Sequence, residues 1–321
     1  MAKVSGQLKD ASINGKPRDL MNMIFDISPT DTPFLTACGK SSASQTLHEW
    51  QTDILNAPVK NAQLEGDDAK NFEASNTTEL TNKTQILSKN ISVSGTAQAV
   101  KQAGVSKQYN YQLAQRMKEI KKDLELALLS NQIEGNDNGT SQGRTMRGLP
   151  CWMTETSNIS LGASGAAATS SAVATAGTAR AFTEELLKTV LTGIYTSGGN
   201  PDRIMVAPDL RVKMSESLNG GATRMENVEK KKATAVIDVY VSDFDTLKII
   251  PNRVQAYEPY SKKAAFILDP EYWKVAYLRG FSTKELAVTG DSKKGQIIVE
   301  CTLEARNPAS SGMIADLSAT A

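Results

Sequence analysis

The chain has 321 residues, of which 40 % are hydrophobic and 22 % are charged. This composition is typical of a globular protein with a substantial core, and the length favours about two domains. The net charge of +1 arises from 36 basic and 35 acidic residues, so the chain lacks the basic excess of a dedicated nucleic-acid binder. No apolar run approaches the roughly 18 residues of a membrane-spanning helix, and the first residues do not resemble a signal peptide.

The cysteine pattern points to a reducing compartment. There are three cysteines, an odd number, and they lie far apart in the sequence: Cys38, Cys151 and Cys301. A disulfide framework needs pairs, so we expect these residues to be small, buried, apolar side chains.

The N-terminal region predicts an arm that ends in a stiff strap. Residues 1–26 are mostly polar and small, with one apolar cluster near residue 24. Pro29 and Pro33 then fix their own φ angles and bias the preceding residues towards extended conformations, which predicts a kinked strap rather than a helix for residues 27–35. The residues alone are equally consistent with an irregular loop that has no role as a strap.

Two segments with alternating apolar and polar residues predict strands. They cover residues 45–53 and 84–94, and about thirty polar residues separate them. A long two-stranded excursion is only marginally stable in water, and long irregular loops are uncommon in compact domains unless they are functional or disordered. We therefore expect this excursion to gain stability by lying on another subunit.

A long amphipathic helix is predicted from about residue 106 to 131. Its apolar positions recur every three or four residues, and Ser106 is the expected N-cap. The sequence EGNDNG at residues 134–139 is rich in Gly and Asn, so we expect the helix to end before it. The apolar stripe consists of Leu113, Met117, Ile120, Leu124 and Leu128.

The second half of the chain predicts an α+β unit followed by strands. A Ser/Ala/Thr/Gly-rich stretch at about residues 157–179 reads as a surface loop. Thr183 should cap a helix that ends at Gly198. A strand at 203–207 and a helix that begins at Pro208 should follow. Residues 235–241 should form a strand that pairs with residues 246–250. Further strands are expected at residues 264–268, 273–278, 284–288 and 296–303, with a hairpin turn at 291–295 and the long helix covering one face of this meander.

The residue types that carry catalysis or metal binding are sparse. His48 is the only histidine, and it lies on a predicted strand of the excursion, where a water-excluded catalytic site is not expected. One histidine and three distant cysteines cannot form a zinc site. The segment that begins at Glu134 resembles a calcium loop, but Thr145 stands where the bidentate glutamate belongs. These residues disfavour an enzyme without excluding one, and we predict no enzyme activity, no catalytic residues, no cofactor and no metal.

Several motifs in this order resemble the major capsid proteins of tailed bacteriophages with the Hong Kong 97-type fold. The strap contributes ISPTDTPF at residues 27–34, and the excursion contributes HEWQTD at 48–53 and EGDDA at 65–69. Further matches follow in the second half of the chain: RGL at 147–149 with Trp152, SDF at 242–244, LKIIPNR at 247–253, ECTLE at 300–304, and residues 307–317. Each motif is weak alone, but the order of the set is specific.

The resemblance implies an α+β fold with four parts, one of which is divided into two segments of the sequence. These are an N-terminal arm at 1–39, an extended β-hairpin loop at 40–95, a peripheral domain of spine helix and sheet, and an α/β axial domain at 150–255. The peripheral domain is split between residues 96–149 and 256–321.

In function, the resemblance implies a capsid protein that self-assembles through hexamers and pentamers into an icosahedral shell around double-stranded DNA. It would be located in the virion capsid after assembly in the host bacterial cytoplasm. Expected partners are other copies of the chain, a portal protein, separate scaffolding or decoration proteins where the shell uses them, and DNA held by non-specific contact, with no membrane. The alternatives are an encapsulin-like compartment that holds cargo enzymes and, more remotely, a soluble hydrolase.

The resemblance also suggests which residues contact neighbouring subunits. The candidates lie on the strap and on the extended loop: Asp31, Pro33, Phe34, His48, Glu49, Trp50, Asp53, Glu65, Asp67 and Asp68.

Overall fold

A computed structural model describes most of the chain. The described residues are 29–62, 65–66, 68, 76–100, 102, 105, 107–220 and 239–319. Within these residues, no helix is long and apolar enough to cross a bilayer. The predicted arm at 1–26, the N-cap Ser106 and the interface candidate Asp67 lie outside the described residues.

The helices vary from a single turn to six turns. They are α1 Pro33–Ala37, α2 Gly95–Ala99, α3 Gln108–Leu129, α4 Leu149–Trp152, α5 Glu184–Thr196 and α6 Pro208–Gly220. α3 is the predicted spine helix, with 22 residues and a length of about 33 Å at ~1.5 Å per residue. α5 begins as predicted, because the side chain of Thr183 accepts a hydrogen bond from the Leu186 amide.

Twelve strands are described, and they form three sheets. The first six are β1 Gly39–Ser42, β2 Leu47–Thr52, β3 Thr78–Lys83, β4 Gln85–Ser94, β5 Ile159–Ser160 and β6 Arg203–Val206. The others are β7 Val239–Val241, β8 Thr246–Pro251, β9 Ala265–Leu268, β10 Trp273–Glu285, β11 Ser292–Ala305 and β12 Gly312–Ile314.

The spine helix packs on a four-stranded sheet in the order β1-β10-β11-β4. β10 and β11 form a long antiparallel hairpin, β4 pairs antiparallel with β11, and β1 runs parallel to β10. The apolar stripe of α3 faces this sheet, since Ile120, Leu124 and Leu128 are fully buried, with Leu113 and Met117 partly buried in the same core. The helix thus covers the sheet as its sequence predicts.

A six-stranded sheet in the order β5-β12-β9-β6-β8-β7 forms a second layered unit with α5 and α6. One core cluster joins the inner faces of the two helices to this sheet, through Leu187, Val190 and Ile194 of α5 and Leu210 and Met214 of α6. The two sheets separate a spine-helix region from an α/β region. The exact domain boundaries stay a prediction.

Three strand predictions are wrong in detail. The alternating segments at 45–53 and 84–94 do not pair with each other, because β2 pairs with β3 and β4 joins the main sheet. Residues 284–288 are not a separate strand, since β10 runs without a break to Glu285, and the connection of the hairpin covers 286–291 instead of 291–295. β9 lies in the six-stranded sheet and not in the meander.

The remaining strand predictions hold where they are described. β7 pairs antiparallel with β8, although residues 235–238 of the first predicted strand lie outside the described residues. All three cysteines are free and buried, as expected.

Candidate subunit interface

The prediction of a strap without a helix is wrong for its last residues, because residues 33–35 belong to α1. Pro33 occupies the first turn of α1, where its missing amide hydrogen costs nothing. α1 is attached to the spine helix of the same chain. The amides of Phe34 and Leu35 donate to the two carboxylate oxygens of Glu125 on α3, at 2.8 and 2.7 Å. Asn252 donates to the same carboxylate at 2.7 Å.

Glu125 therefore ties three separate parts of the chain together. It is fully buried, and burial raises the pKa of this carboxyl, while the hydrogen bonds from Leu35, Phe34 and Asn252 partly offset that rise. The ring of Phe34 is also buried and meets the edge of Trp273, with ring centroids 6.3 Å apart. Asp31 stays exposed, and its carboxylate lies 4.0 Å from Arg253.

The pair β2 and β3, here called the loop base, has one face turned towards the body of its own chain. His48 and Trp50 lie on that face, and Glu49 and Gln51 point to solvent, as the period of a strand requires.

The side chain of Trp50 attaches the loop base to the body of the chain. Its indole Nε1 donates a hydrogen bond to the Ala305 carbonyl at 2.9 Å. Its ring lies 5.5 Å from that of Trp152, and the guanidinium of Arg147 covers Trp152 at 4.5 Å.

Two buried glutamates of β11 complete the attachment of the loop base. Glu304 accepts hydrogen bonds from Arg306 at 2.7 Å and from Ser41, and its Oε2 lies 3.3 Å from Nε2 of His48. Burial alone would raise the pKa of Glu304, but these hydrogen bonds outweigh it and lower the pKa.

Glu300 is the second of these glutamates, and it contacts the residue that directly follows β3. Its carboxylate accepts a hydrogen bond from the hydroxyl of Thr84 at 2.9 Å. The same carboxylate accepts hydrogen bonds from Arg144 and, at 2.6 Å, from Arg279.

Asn82 of β3 connects the loop base to the main sheet. Its side-chain amide donates to the Leu303 carbonyl at 2.7 Å, and its carbonyl oxygen accepts from the Arg147 amide at 2.8 Å. Asn82 is fully buried, so these hydrogen bonds replace water that it cannot reach. Sequence reasoning missed Asn82 and Glu125, and it noted Glu300 and Glu304 only as part of the ECTLE motif. Nothing local marks a polar residue whose main partners lie tens to hundreds of positions away.

Beyond the loop base, residues 53–62 form a distal segment without helix or strand. Three large apolar side chains in it are almost fully exposed: Ile54 at 81 %, Leu55 at 93 % and Val59 at 79 %. These side chains project into solvent without a partner from the described part of the chain. Exposed apolar side chains are common singly, but three within six residues of an extended segment are typical of a surface that a partner covers.

The interface candidates divide into two groups. Phe34, His48 and Trp50 contact the chain's own body through the interactions above. Asp31, Glu49, Asp53, Glu65 and Asp68 are exposed and Pro33 is half-buried, so these side chains are available to a neighbour. An interface role for each stays a prediction.

The six-stranded sheet carries a second exposed patch that sequence reasoning missed. Tyr195 at the end of α5 stacks on Phe244, with ring centroids 4.7 Å apart, and both side chains are about half exposed. Val239 and Val241 of the edge strand β7 are also exposed. The only local signal is the aromatic residue in the turn between β7 and β8.

Comparison with solved structures defines the class of this fold. A chain from Mycobacterium phage Bobi is 12 % identical, covers 97 % of this chain and 99 % of its own length, and superposes with a TM-score of 0.61. A chain of the holo-SrpI encapsulin complex from Synechococcus elongatus is 11 % identical, covers 98 % of both chains and has a TM-score of 0.58. The protein has the Hong Kong 97-type capsid fold, which phage capsids and encapsulins share.

The family is defined by sequence. A family model described as SU10 major capsid protein matches residues 3–318, and the chain belongs to this family. The major capsid protein of Escherichia phage Phieco32 is 29 % identical over 336 aligned positions, which cover 94 % of each chain. This protein is therefore a phage major capsid protein, a virion component that assembles with copies of itself into a capsid shell.

Proposed function

We propose that this protein assembles through hexamers and pentamers into an icosahedral shell that encloses double-stranded DNA. The observation that carries this proposal is the contrast within the loop, where an anchored base presents an extended distal segment with exposed Ile54, Leu55 and Val59. Such a segment reaches away from its own core, and a neighbouring subunit would cover its apolar side chains. Family membership supports the shell as the final assembly.

Many modest contacts of this kind would act together in a closed shell. Each subunit contacts several neighbours, so a contact that is weak in an isolated pair becomes effectively intramolecular once a ring has formed. Assembly should therefore show a threshold concentration. The role we propose is structural and without catalysis, and the portal, scaffolding or decoration partners and assembly in the host cytoplasm belong to the same proposal.

The second candidate is a compartment for cargo enzymes, because an encapsulin shares the fold. The family match favours the phage capsid. The nature of the material that copurifies with the particles separates the two functions: nucleic acid supports the capsid, and a defined protein cargo supports the compartment.

The test is a shortened loop that keeps the loop base. The sequence alone predicts that deletion of residues 41–94 leaves a folded core that forms no shells. That prediction is wrong for the fold, because the deletion would also remove β4, whose Ile91 and Val93 are buried, and would damage the core. Thr52 and Thr78 are the last partners of β2 and β3, so residues 53–77 should be replaced by Asn-Gly, which closes a two-residue hairpin. We expect a folded protein that forms no shells.

Thermal melting by circular dichroism measures the fold, and size-exclusion chromatography with electron microscopy measures assembly. A second variant replaces residues 53–77 by a Gly/Ser segment of equal length, which keeps the number of residues in the loop and removes its apolar side chains. This variant should also fold and fail to form shells. Shells of normal size from either variant would contradict the proposed role of the distal segment.

A further inference from the structure

The six-stranded sheet is covered unevenly on its two faces. Side chains of α5 and α6 pack against one face. On the other face, Met205 of β6 and Phe266 and Leu268 of β9 belong to the core that also contains the spine helix. β8 and β7 follow β6 at the edge of the sheet, and on this second face their side chains are mostly exposed.

Four residues form this uncovered part of the sheet, which we call the edge face. In the antiparallel pair β7 and β8, Val239 lies opposite Lys248 and Val241 lies opposite Thr246, so all four side chains point the same way. The two valines are 47 % and 73 % exposed. Tyr240 points to the opposite face and belongs to the core of α5 and α6. The edge face is therefore an apolar strip at the rim of an otherwise covered sheet.

The strap lies beside the edge face. A recess of about 490 Å³ is lined by Thr30 and Asp31 of the strap and by Arg203 of β6 and Ile250 of β8. Arg203 lies directly opposite Lys248 on the neighbouring strand, so the recess adjoins the edge face. The described part of the chain thus begins next to the strands that nothing described covers.

The segment that directly precedes the strap is rich in apolar residues. An extended chain spans at most about 3.6 Å per residue, so Phe25 lies within about 18 Å of Thr30. Neighbouring strands are about 4.8 Å apart, so both β8 and β7 are within this reach. Residues 221–238, which precede β7, also lie outside the described residues, but their centre is the charged sequence EKKK at 229–232. Six of the eight residues at 20–27 are apolar: Leu20, Met21, Met23, Ile24, Phe25 and Ile27.

We propose that residues 20–27 dock on the edge face of their own subunit. Their apolar side chains cover Val239 and Val241, and docking removes both apolar surfaces from water at once. Asp26 brings a carboxylate to a face that carries the ammonium group of Lys248. The rest of the arm then leaves the subunit from the edge of the six-stranded sheet. This inference is independent of the proposed function, because it concerns contacts within one subunit.

Chemical cross-linking of the full-length chain tests this contact. The variant combines Phe25→Cys with Val241→Cys and is kept below the threshold concentration for shells. The three native cysteines are buried, so a short bismaleimide should react with the introduced pair. We expect a product that migrates as a monomer, with a link between positions 25 and 241 identified by mass spectrometry. The matched control combines Phe25→Cys with Val212→Cys on α6, which is 58 % exposed on the other side of the sheet, and should give no link.

The cross-linking result can overturn the inference in two ways. A link that joins two copies would mean that the segment covers a neighbouring subunit, and a link that is absent, or equally frequent in the control, would mean that it does not dock here. Hydrogen exchange gives a second measurement on a variant that combines Ile24→Ser with Phe25→Ser. Thermal melting should show that this variant is folded, the amides of β7 should exchange faster than in the wild type, and those of α6 should keep their rates. Unchanged exchange in β7 would also overturn the inference.

Discussion

The loop base and the distal segment adjoin each other in the chain but are stabilised in different ways. The base places His48 and Trp50 on the body of its own subunit, through Glu304, Ala305 and Trp152. The distal segment leaves Ile54, Leu55 and Val59 in solvent. The difference shows that the subunit fixes the starting point and direction of the loop and leaves only its outer part to be stabilised by assembly.

This division has a consequence for assembly. A loop that was flexible from its root would lose more conformational freedom when it docked, and each contact would be weaker. The anchored base removes part of that cost before subunits meet. Substitutions in the two regions should therefore affect different measurements.

The largest expected effect follows from Ile54→Ser, Leu55→Ser and Val59→Ser combined. Burial of one such side chain contributes about 1.5 to 3 kcal/mol, so loss of three at every copy of a contact should raise the threshold for shell formation at least tenfold. The free energy of unfolding of the subunit should change by no more than about 0.5 kcal/mol, because these side chains are exposed in it. Light scattering against protein concentration measures the threshold, and urea denaturation measures the stability.

The matched control for this variant changes three exposed valines elsewhere, Val173, Val212 and Val288, to Ser. The control should assemble at a threshold near that of the wild type. If both variants lose assembly equally, the distal segment has no special role.

The next largest effect is expected from Trp50→Ala, which acts on the loop base. Removal of this partly buried ring leaves space against Trp152, so the free energy of unfolding should fall by about 2 to 4 kcal/mol. Trp50→Phe keeps an aromatic ring and loses the hydrogen bond to Ala305, so it should cost about 1 kcal/mol. Urea denaturation measures both variants, and an unchanged midpoint for Trp50→Ala would show that the base is not anchored through this residue.

Sequence reasoning was most successful where the signal is local. The spacing of apolar residues predicted α3, and the N-cap Thr183 predicted the start of α5, because both follow from contacts within a few residues. It missed β3, whose residues Thr78–Lys83 alternate too weakly to suggest a strand. It also missed the contact between Phe34 and Glu125, which lie 91 positions apart, since such a pair depends on the folded chain.

The candidate interface was predictable to a similar extent. The polar character of the loop identified the region that leaves the core. It did not distinguish Trp50, which packs inward, from Leu55, which is exposed, because both are large apolar residues in an extended segment. The face of a strand is set by its pairing, and here the pairing partner itself was missed.

The smallest expected effect concerns pH, and its sign differs between Glu304, which holds the loop base, and Glu125, which holds α1. The pKa of Glu304 is lowered in the folded state, so its stabilising contribution is present above the unfolded pKa and is lost as the pH falls through the folded pKa. The pKa of Glu125 is raised, so its contribution is fully present below the unfolded pKa and is lost as the pH rises through the folded pKa. The destabilisation caused by Glu304→Gln should therefore shrink as the pH falls from 7 through the acidic range, whereas that caused by Glu125→Gln should grow. Urea denaturation of both variants and the wild type across this range measures how each destabilisation changes with pH. If both change in the same direction, the charge of Glu304 is not stabilised in the fold or the carboxyl of Glu125 is not desolvated.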